Sequence, residues 1–487
     1  MWLQEDARRE ENQVAETIEA KASTDLTRAS AVELSQLYKT KAASPVEVMQ
    51  AVLARADEVN PKLNALIRVE AEAALAAAKA SEARWAAGAP LSRLDGAPVT
   101  VKELVRVKGW PHSMGSLLAD KTPATEDAPS VARLREAGAI VWSQNTSPEY
   151  GHKGMTDSPL HGVTRNPWNL ERTPGGSSGG TAAAVAAGLG PLGIGTDGGG
   201  SVRIPAAFCG LVGLKATYGR VAAWPPSMHG DLANVGPMTR TVADCALMLN
   251  EMARPDHRES FPAPHDPRDW TLGLAAGVKG LKVGLLSPAG RVYVEPPIAE
   301  RLTAAAKLLG ELGAVVEPIE PPPESLDAGR VWVTHWFSAM QRLLQLYPAE
   351  RHGEFDPSLL EQARTGHGYT VQTLVDAMVE RRAITTAWNA VFTKVDLVIM
   401  PTLNVLPFPV GPGQPLGPDG KLNLAWANTS LFNLTRHPAI SAPLPPSDDG
   451  LPIGLQIAAA HYRDDLVLAC AAALEAAQGL SFPQLPR

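Results

Sequence analysis

Cysteine is almost missing from this chain. The three present, Cys209, Cys245 and Cys470, are odd in number and far apart, which excludes a disulfide framework and suits small buried thiols in a reducing compartment. Basic charge is also short: 44 Lys and Arg stand against 51 Asp and Glu, a net charge of −7. Phosphate binding needs a concentrated basic surface, so nucleic acid is not an expected partner. No apolar run approaches the roughly 18 residues of a membrane span, and the charged start MWLQEDARREENQ lacks the apolar core of a signal peptide. A cytoplasmic protein without membrane association is expected. Neither a C-x-x-C pair nor a histidine cluster points to a metal, and no cofactor is expected.

Glycine is abundant and concentrated. Thr173 to Pro205 reads TPGGSSGGTAAAVAAGLGPLGIGTDGGGSVRIP, with two glycine clusters set beside serine and an apolar, alanine-rich segment between them. Alone, GGSSGG has the composition of a flexible linker. Its context argues otherwise: Thr181 to Leu189 is helix-forming, Gly190 suits a C-terminal cap, and Pro191 to Gly195 reads as a short strand. A phosphate-cradling P-loop is excluded because Thr181 stands where that pattern needs lysine. Folded back on one another, the clusters would bring Ser177, Ser178 and Ser201 together.

These segments, GGSSGG and TDGGGSVRIPAAFCG, with GAPVTVKELVRVKG upstream, resemble the signature of the amidase signature family of serine hydrolases. The resemblance implies a nucleophile at Ser201, a bridging serine held by a cis peptide bond at Ser177, and a lysine base at Lys102. It also implies one α/β/α unit around a central mixed, mostly parallel twisted sheet with helices on both faces. The chemistry fits the residue types. A serine hydroxyl needs a base within hydrogen-bond reach and a group to orient that base. Lysine serves only when neutral, and removing its proton at pH 7 costs roughly 4.6 kcal/mol from an ordinary pKa near 10.4. Lys102 ends the apolar run Pro98-Val99-Thr100-Val101, where burial would lower that cost.

Gly198, Gly199 and Gly200, with Ser201, have the composition of a nest of backbone N–H groups for a developing oxyanion. Asp197 and Arg203 flank them and are expected to pin the loop as a salt bridge. Met114, Tyr150 and Ser178 are candidate substrate-binding residues, although Tyr150 suits core packing equally and Ser178 suits a loop-holding role. His112 follows the base closely and is expected to be structural or to line the substrate site.

Elsewhere, Ser30-Ala31-Val32-Glu33 and Ser44-Pro45-Val46-Glu47 match the capping box of a helix start. Strands are expected at Leu63 to Val69, 98–102, Ala139 to Trp142, Cys209 to Tyr218, Leu281 to Leu286, Ala314 to Ile319 and Val395 to Thr402. Helices are expected at Glu70 to Ala87, Ser130 to Ala137, Thr241 to Met252, Ala299 to Leu312 and Leu466 to Ala477. The polar segment 1–28 reads as an extension and 29–487 as the catalytic unit, with its core at 95–250. Residues 321–394 carry Trp332, Trp336, Phe337, Tyr347 and Phe355 and read either as a helical cap over the site or as ordinary helix packing.

The expected activity is hydrolysis of linear amides, aryl amides included, through an acyl-enzyme, with ester or carbamate (urethane) hydrolysis as a companion. The expected partner is a small-molecule amide, ester or carbamate, and the chain is expected as a monomer or homodimer. The alternative is an amidotransferase component of a glutamine-dependent complex.

Overall fold

The computed structural model describes residues 25–288, 291–411, 414–421, 423, 425–479 and 482–483, so the expected N-terminal extension lies outside the described residues except for 25–28. Its strands are β1 (Leu66–Val69), β2 (Pro98–Lys102), β3 (Ile140–Asn145), β4 (Asp157–Ser158), β5 (Gly162–Val163), β6 (Leu192–Asp197), β7 (Val212–Lys215), β8 (Asn234–Thr239), β9 (Lys282–Leu285), β10 (Val315–Pro318), β11 (Leu397–Pro401), β12 (Ala439–Leu444) and β13 (Ile453–Ala459). All but β4 and β5, which pair with each other, form one 11-stranded sheet in the order β1-β3-β2-β6-β8-β7-β12-β13-β11-β9-β10.

The sheet is mixed, as expected, but its parallel pairs sit on two flanks. β3, β2 and β6 run parallel, as do β11, β9 and β10. The strands between, from β6 through β8, β7, β12 and β13 to β11, pair antiparallel. The outermost strand β1 also pairs antiparallel with β3, so "mostly parallel" is corrected: among the described residues four of the sheet's ten strand pairs are parallel and six antiparallel. Each of the central antiparallel pairs involves β12, β13 or β8, all missed by sequence reading, and β8 is the one that joins the first flank to the centre. Gly236 and Pro237 break its pattern, yet it fills the gap between β6 and β7 with every residue buried.

Side chains alternate across the strands. Val99 and Val101, Leu192 and Ile194, Leu397 and Ile399, and Leu455 and Ile457 share a buried cluster with the helices at 129–136, 242–252, 296–311 and 464–478. Val398, Met400 and Ala458 join Phe432 and the helices at 328–344 and 371–391 in another. Near the first flank, Trp142 packs with the helices at 31–40, 45–63 and 71–86. Both predicted capping boxes form: Ser30 with Glu33 and Ser44 with Glu47.

Two expected strands shorten for identifiable reasons. Leu63 closes the helix Pro45–Leu63, which passes through Pro61, so β1 begins only at Leu66. Cys209 ends the helix Arg203–Cys209, and Gly210, at φ 67°, turns the chain into β7. The predicted β-α-β unit forms as β9, the helix Pro296–Glu311 and β10, in parallel register.

Candidate active site

β2 and β6 run side by side in parallel and finish at the same edge of the sheet. Open α/β sheets gather ligand-facing groups beyond such carboxyl ends. Here that edge receives Lys102, the last residue of β2, and Thr196, next to last in β6. Lys102 Nζ lies 2.6 Å from Ser177 Oγ and 2.8 Å from Thr196 Oγ1. The lysine is fully buried. Burial drives its pKa down, the charges of Asp197 and Glu103 push it back up, and it settles at about 7 against an ordinary 10.5.

Ser177 follows a cis Gly176–Ser177 peptide bond and precedes the helix Gly179–Ala186. The chain there runs against its neighbours with no room for side chains: a Cβ on Gly176 would sit 2.6 Å from the Met155 carbonyl oxygen, and one on Gly180 2.3 Å from Thr146 Oγ1. The Ser178 N–H donates to the Ser201 carbonyl at 3.2 Å, tying the two serine loops together. Ser177, Thr196, Gly198 and Ser201 all line one cavity of about 250 Å³.

In the second glycine cluster the carbonyls of Gly198 and Gly199 are held away by Trp332 Nε1, 3.0 Å, and Thr429 Oγ1, 2.6 Å. A trans peptide points its N–H opposite to its carbonyl. The Gly200 N–H, however, already donates to Asp197 Oδ1 at 2.7 Å. The expectation that it faces an oxyanion is corrected, leaving the amides of Gly198, Gly199 and Ser201 as the candidate donors. Position 200 still requires glycine: its φ is 123° and a Cβ would meet Thr429 Oγ1 at 2.0 Å.

Asp197 and Arg203 form the expected pair, with Nε to Oδ2 and Nη2 to Oδ1 both at 2.9 Å and neither side chain exposed. Burial alone would raise the Asp197 pKa. The Arg203 charge and hydrogen bonds from Arg203 and Asn433 outweigh it and hold it at about 2. The remaining Arg203 N–H groups donate to the Thr429 carbonyl, Gln456 Oε1 and Asn433 Oδ1, so the pair fastens the glycine loop to β13 and to the chain around 429–433. Asp197→Ala strands a buried guanidinium and is expected to lower the unfolding free energy by about 3–5 kcal/mol, read as a drop in the urea midpoint. An unchanged midpoint would show that the loop does not depend on the pair.

Around the lysine, Glu103 acts as a hub that sequence reading passes over. Its carboxylate accepts from the Ser147 N–H and hydroxyl, the Ser113 hydroxyl, the Gly115 N–H and His161 Nε2. It thereby holds the loops carrying Met114 and Tyr150 in place. Met114, Tyr150 and His112 line the cavity, and His112 Nε2 is hydrogen-bonded to the Leu104 carbonyl at 3.1 Å. Tyr150 also packs on Phe355 and Tyr347, so wall and core share it. Ser178 is corrected as a substrate contact. It is fully buried and absent from the cavity wall, and its hydroxyl bonds the Thr196 N–H and carbonyl at 3.3 Å. Thr196 and His229 enter the site unforeseen, and Trp336 enters it from the aromatic segment that the sequence left open between cap and ordinary packing. The only clue to Thr196 is its place directly before Asp197 in the motif.

The aromatic segment reaches the cavity. Trp332 and Trp336, a turn apart on the helix Ala328–Leu344, stack at 4.8 Å, and Trp336 stacks on His229 at 3.6 Å. Trp336 is in the cavity wall. Among the described residues no group of three or more His, Cys, Asp or Glu is placed to hold a metal, and no helix is long and apolar enough to cross a membrane.

Comparison with known proteins agrees with this geometry. The profile of the family described as Amidase matches residues 47–468. The chain is similar to an acylamidase of Rhodococcus erythropolis, 37% identical over 92% of this chain and 95% of that one. It is also similar to a glutamyl-tRNA(Gln) amidotransferase component of Alkaliphilus metalliredigens, 34% identical over 94% and 97%. Among solved structures, a bacterial aryl acylamidase of the amidase signature enzymes superposes with a TM-score of 0.84 at 33% identity, covering 92% of this chain and 96% of that one. A 6-aminohexanoate cyclic dimer hydrolase bound to its substrate superposes with a TM-score of 0.84 at 30% identity, over 95% and 100%. With that sheet and those relatives, the chain belongs to the amidase signature family and is an amidase, a hydrolase of amide carbon–nitrogen bonds.

Proposed function

We propose that this chain hydrolyses linear amides, aryl amides among them, through an acyl-enzyme on Ser201, with esters and carbamates as further substrates. The observation that carries this reading is the 2.6 Å contact between Lys102 Nζ and Ser177 Oγ, buried beside the cavity that Ser201 lines. Neutral Lys102 accepts the Ser177 hydroxyl proton while Ser177 takes the proton of Ser201, whose Oγ bonds to the substrate carbonyl carbon. Charge that develops on the carbonyl oxygen meets the N–H groups of Gly198, Gly199 and Ser201, each such donor being worth about 2.7–4 kcal/mol in related sites. The C–N bond breaks as the proton passes back through Ser177 to the leaving nitrogen. Water, activated by the same relay, then releases the acid. No step requires a metal or cofactor.

Residues 29–487 are proposed to act as one unit, with the core at 95–250 and with 321–394 covering the cavity. A reducing cytoplasm fits the buried, unpaired cysteines, and the chain is proposed to act as a monomer or homodimer. The chemistry is tested by quenching the enzyme during turnover of acetanilide and mapping acylation by mass spectrometry. An acetyl group on the peptide containing Ser201 is expected, and acylation at another residue or at none overturns the assignment. Including glutamine in the substrate panel separates the amidotransferase reading, for which glutamine would be the preferred amide.

A further inference from the structure

Arg106 lies four residues beyond Lys102, where the chain leaves β2, and Leu104, Val105 and Arg106 together form one side of the cavity. Its backbone is fixed by the Ala128 N–H, which donates to the Arg106 carbonyl at 2.9 Å. Arg106 is half-buried, and its guanidinium carbon rests 5.7 Å from the centroid of Trp224, another cavity residue. A second arginine, Arg258, stands over the same indole at 5.1 Å. The two differ in one respect. Arg258 is neutralised by Asp256 and Glu126, both at 2.9 Å, whereas Arg106 forms no ion pair among the described residues. Those that line the cavity include no aspartate or glutamate, and the other ionisable side chains there are Tyr150, His229, His112 and the serine hydroxyls. Both histidines are pushed toward the neutral form, by burial in each case, and the Arg106 charge adds to the effect on His112. The substrate space therefore carries one permanent positive charge with no counter-ion among the described residues.

We propose that Arg106 is a specificity residue that binds a carboxylate on the substrate, so that the preferred amides are linear amides bearing an anionic group away from the scissile carbonyl. A planar guanidinium already oriented by an indole face is suited to two parallel hydrogen bonds with a carboxylate. The same charge disfavours substrates with an ammonium group at that place. The proposal rests on the amidase reading of the site and narrows its substrate class.

Two pairs of probes test it: succinic acid mono-4-nitroanilide against butyryl-4-nitroanilide, and N-acetyl-4-aminobenzoate against acetanilide. The first pair puts the carboxylate on the acyl side, the second on the amine side. In at least one pair, kcat/KM for the anionic member is expected to exceed that of its neutral partner by about tenfold or more, the scale of a hydrogen bond to a charged group. The ratio should fall close to one in Arg106→Met through KM, and recover in part in Arg106→Lys. Calorimetric binding of the same anionic probes to Ser201→Ala, with and without Arg106→Met, gives a readout independent of turnover. Loss of all hydrolysis in the wild type, with charge-selective binding intact, overturns the amidase mechanism and keeps the carboxylate site. Hydrolysis and binding that ignore the substrate charge, or a ratio unmoved by Arg106→Met, overturn the carboxylate site and leave the mechanism standing.

Discussion

Ser201→Ala is expected to reduce kcat for acetanilide by about 10⁶-fold, the scale seen when a nucleophile is removed from a group of residues that act together. The substitution deletes one oxygen from a residue only 8% exposed and leaves the Ser201 backbone, including the N–H proposed to face the oxyanion, in place. The thermal midpoint is therefore expected to stay within a few degrees of wild type. The residual rate should reflect only binding and the N–H donors. Retention of more than about a thousandth of the activity would mean that another group attacks the carbonyl.

Lys102→Ala should follow with a loss of about 10³–10⁴-fold in kcat/KM at pH 7, at the upper end of general-base contributions. The pH profile carries the sharper content. The amine acts when unprotonated, and burial brings its pKa from 10.5 to about 7. Wild-type kcat/KM should therefore rise with pH through that value and level off above it. At pH 6 about one-tenth of the lysine is neutral and at pH 8 about nine-tenths. In Lys102→Ala the limb near pH 7 should vanish, and the deficit should shrink at alkaline pH as hydroxide substitutes for the missing base. A wild-type profile flat between pH 6 and 8, or full activity in the variant at pH 7, would remove Lys102 from the mechanism.

The three residues at the centre of these experiments are legible because their signals are local. Serines set beside glycine clusters and a lysine closing an apolar run each occupy a few consecutive positions, and the strand at 98–102 follows from its own composition. What the chain does around them depends on tertiary context. β8 is hidden because Gly236-Pro237 contradicts strand propensity, and only the antiparallel neighbours β6 and β7 make it a strand. The Gly200 amide looks like its neighbours in sequence, and only the position of the Asp197 carboxylate reveals that it is engaged. Ser178 and Ser177 are adjacent and identical, yet one faces the backbone of Thr196 and the other the lysine. Trp336 is more than a hundred residues from either serine and carries no motif of its own, so its place in the cavity wall follows only from the packing of its helix.

That helix does two jobs from adjacent turns. Trp336 shapes the space a substrate occupies, while Trp332 grips the Gly198 carbonyl and so sets the tilt of the peptide planes around the reacting centre. Selectivity and speed are thus coupled through a single rigid rod. Evolution, or an engineer, that reshapes the chamber by trimming the outer indole will also disturb the inner one, and substrate range should be easier to widen from the Met114 side, which is anchored through Glu103 instead.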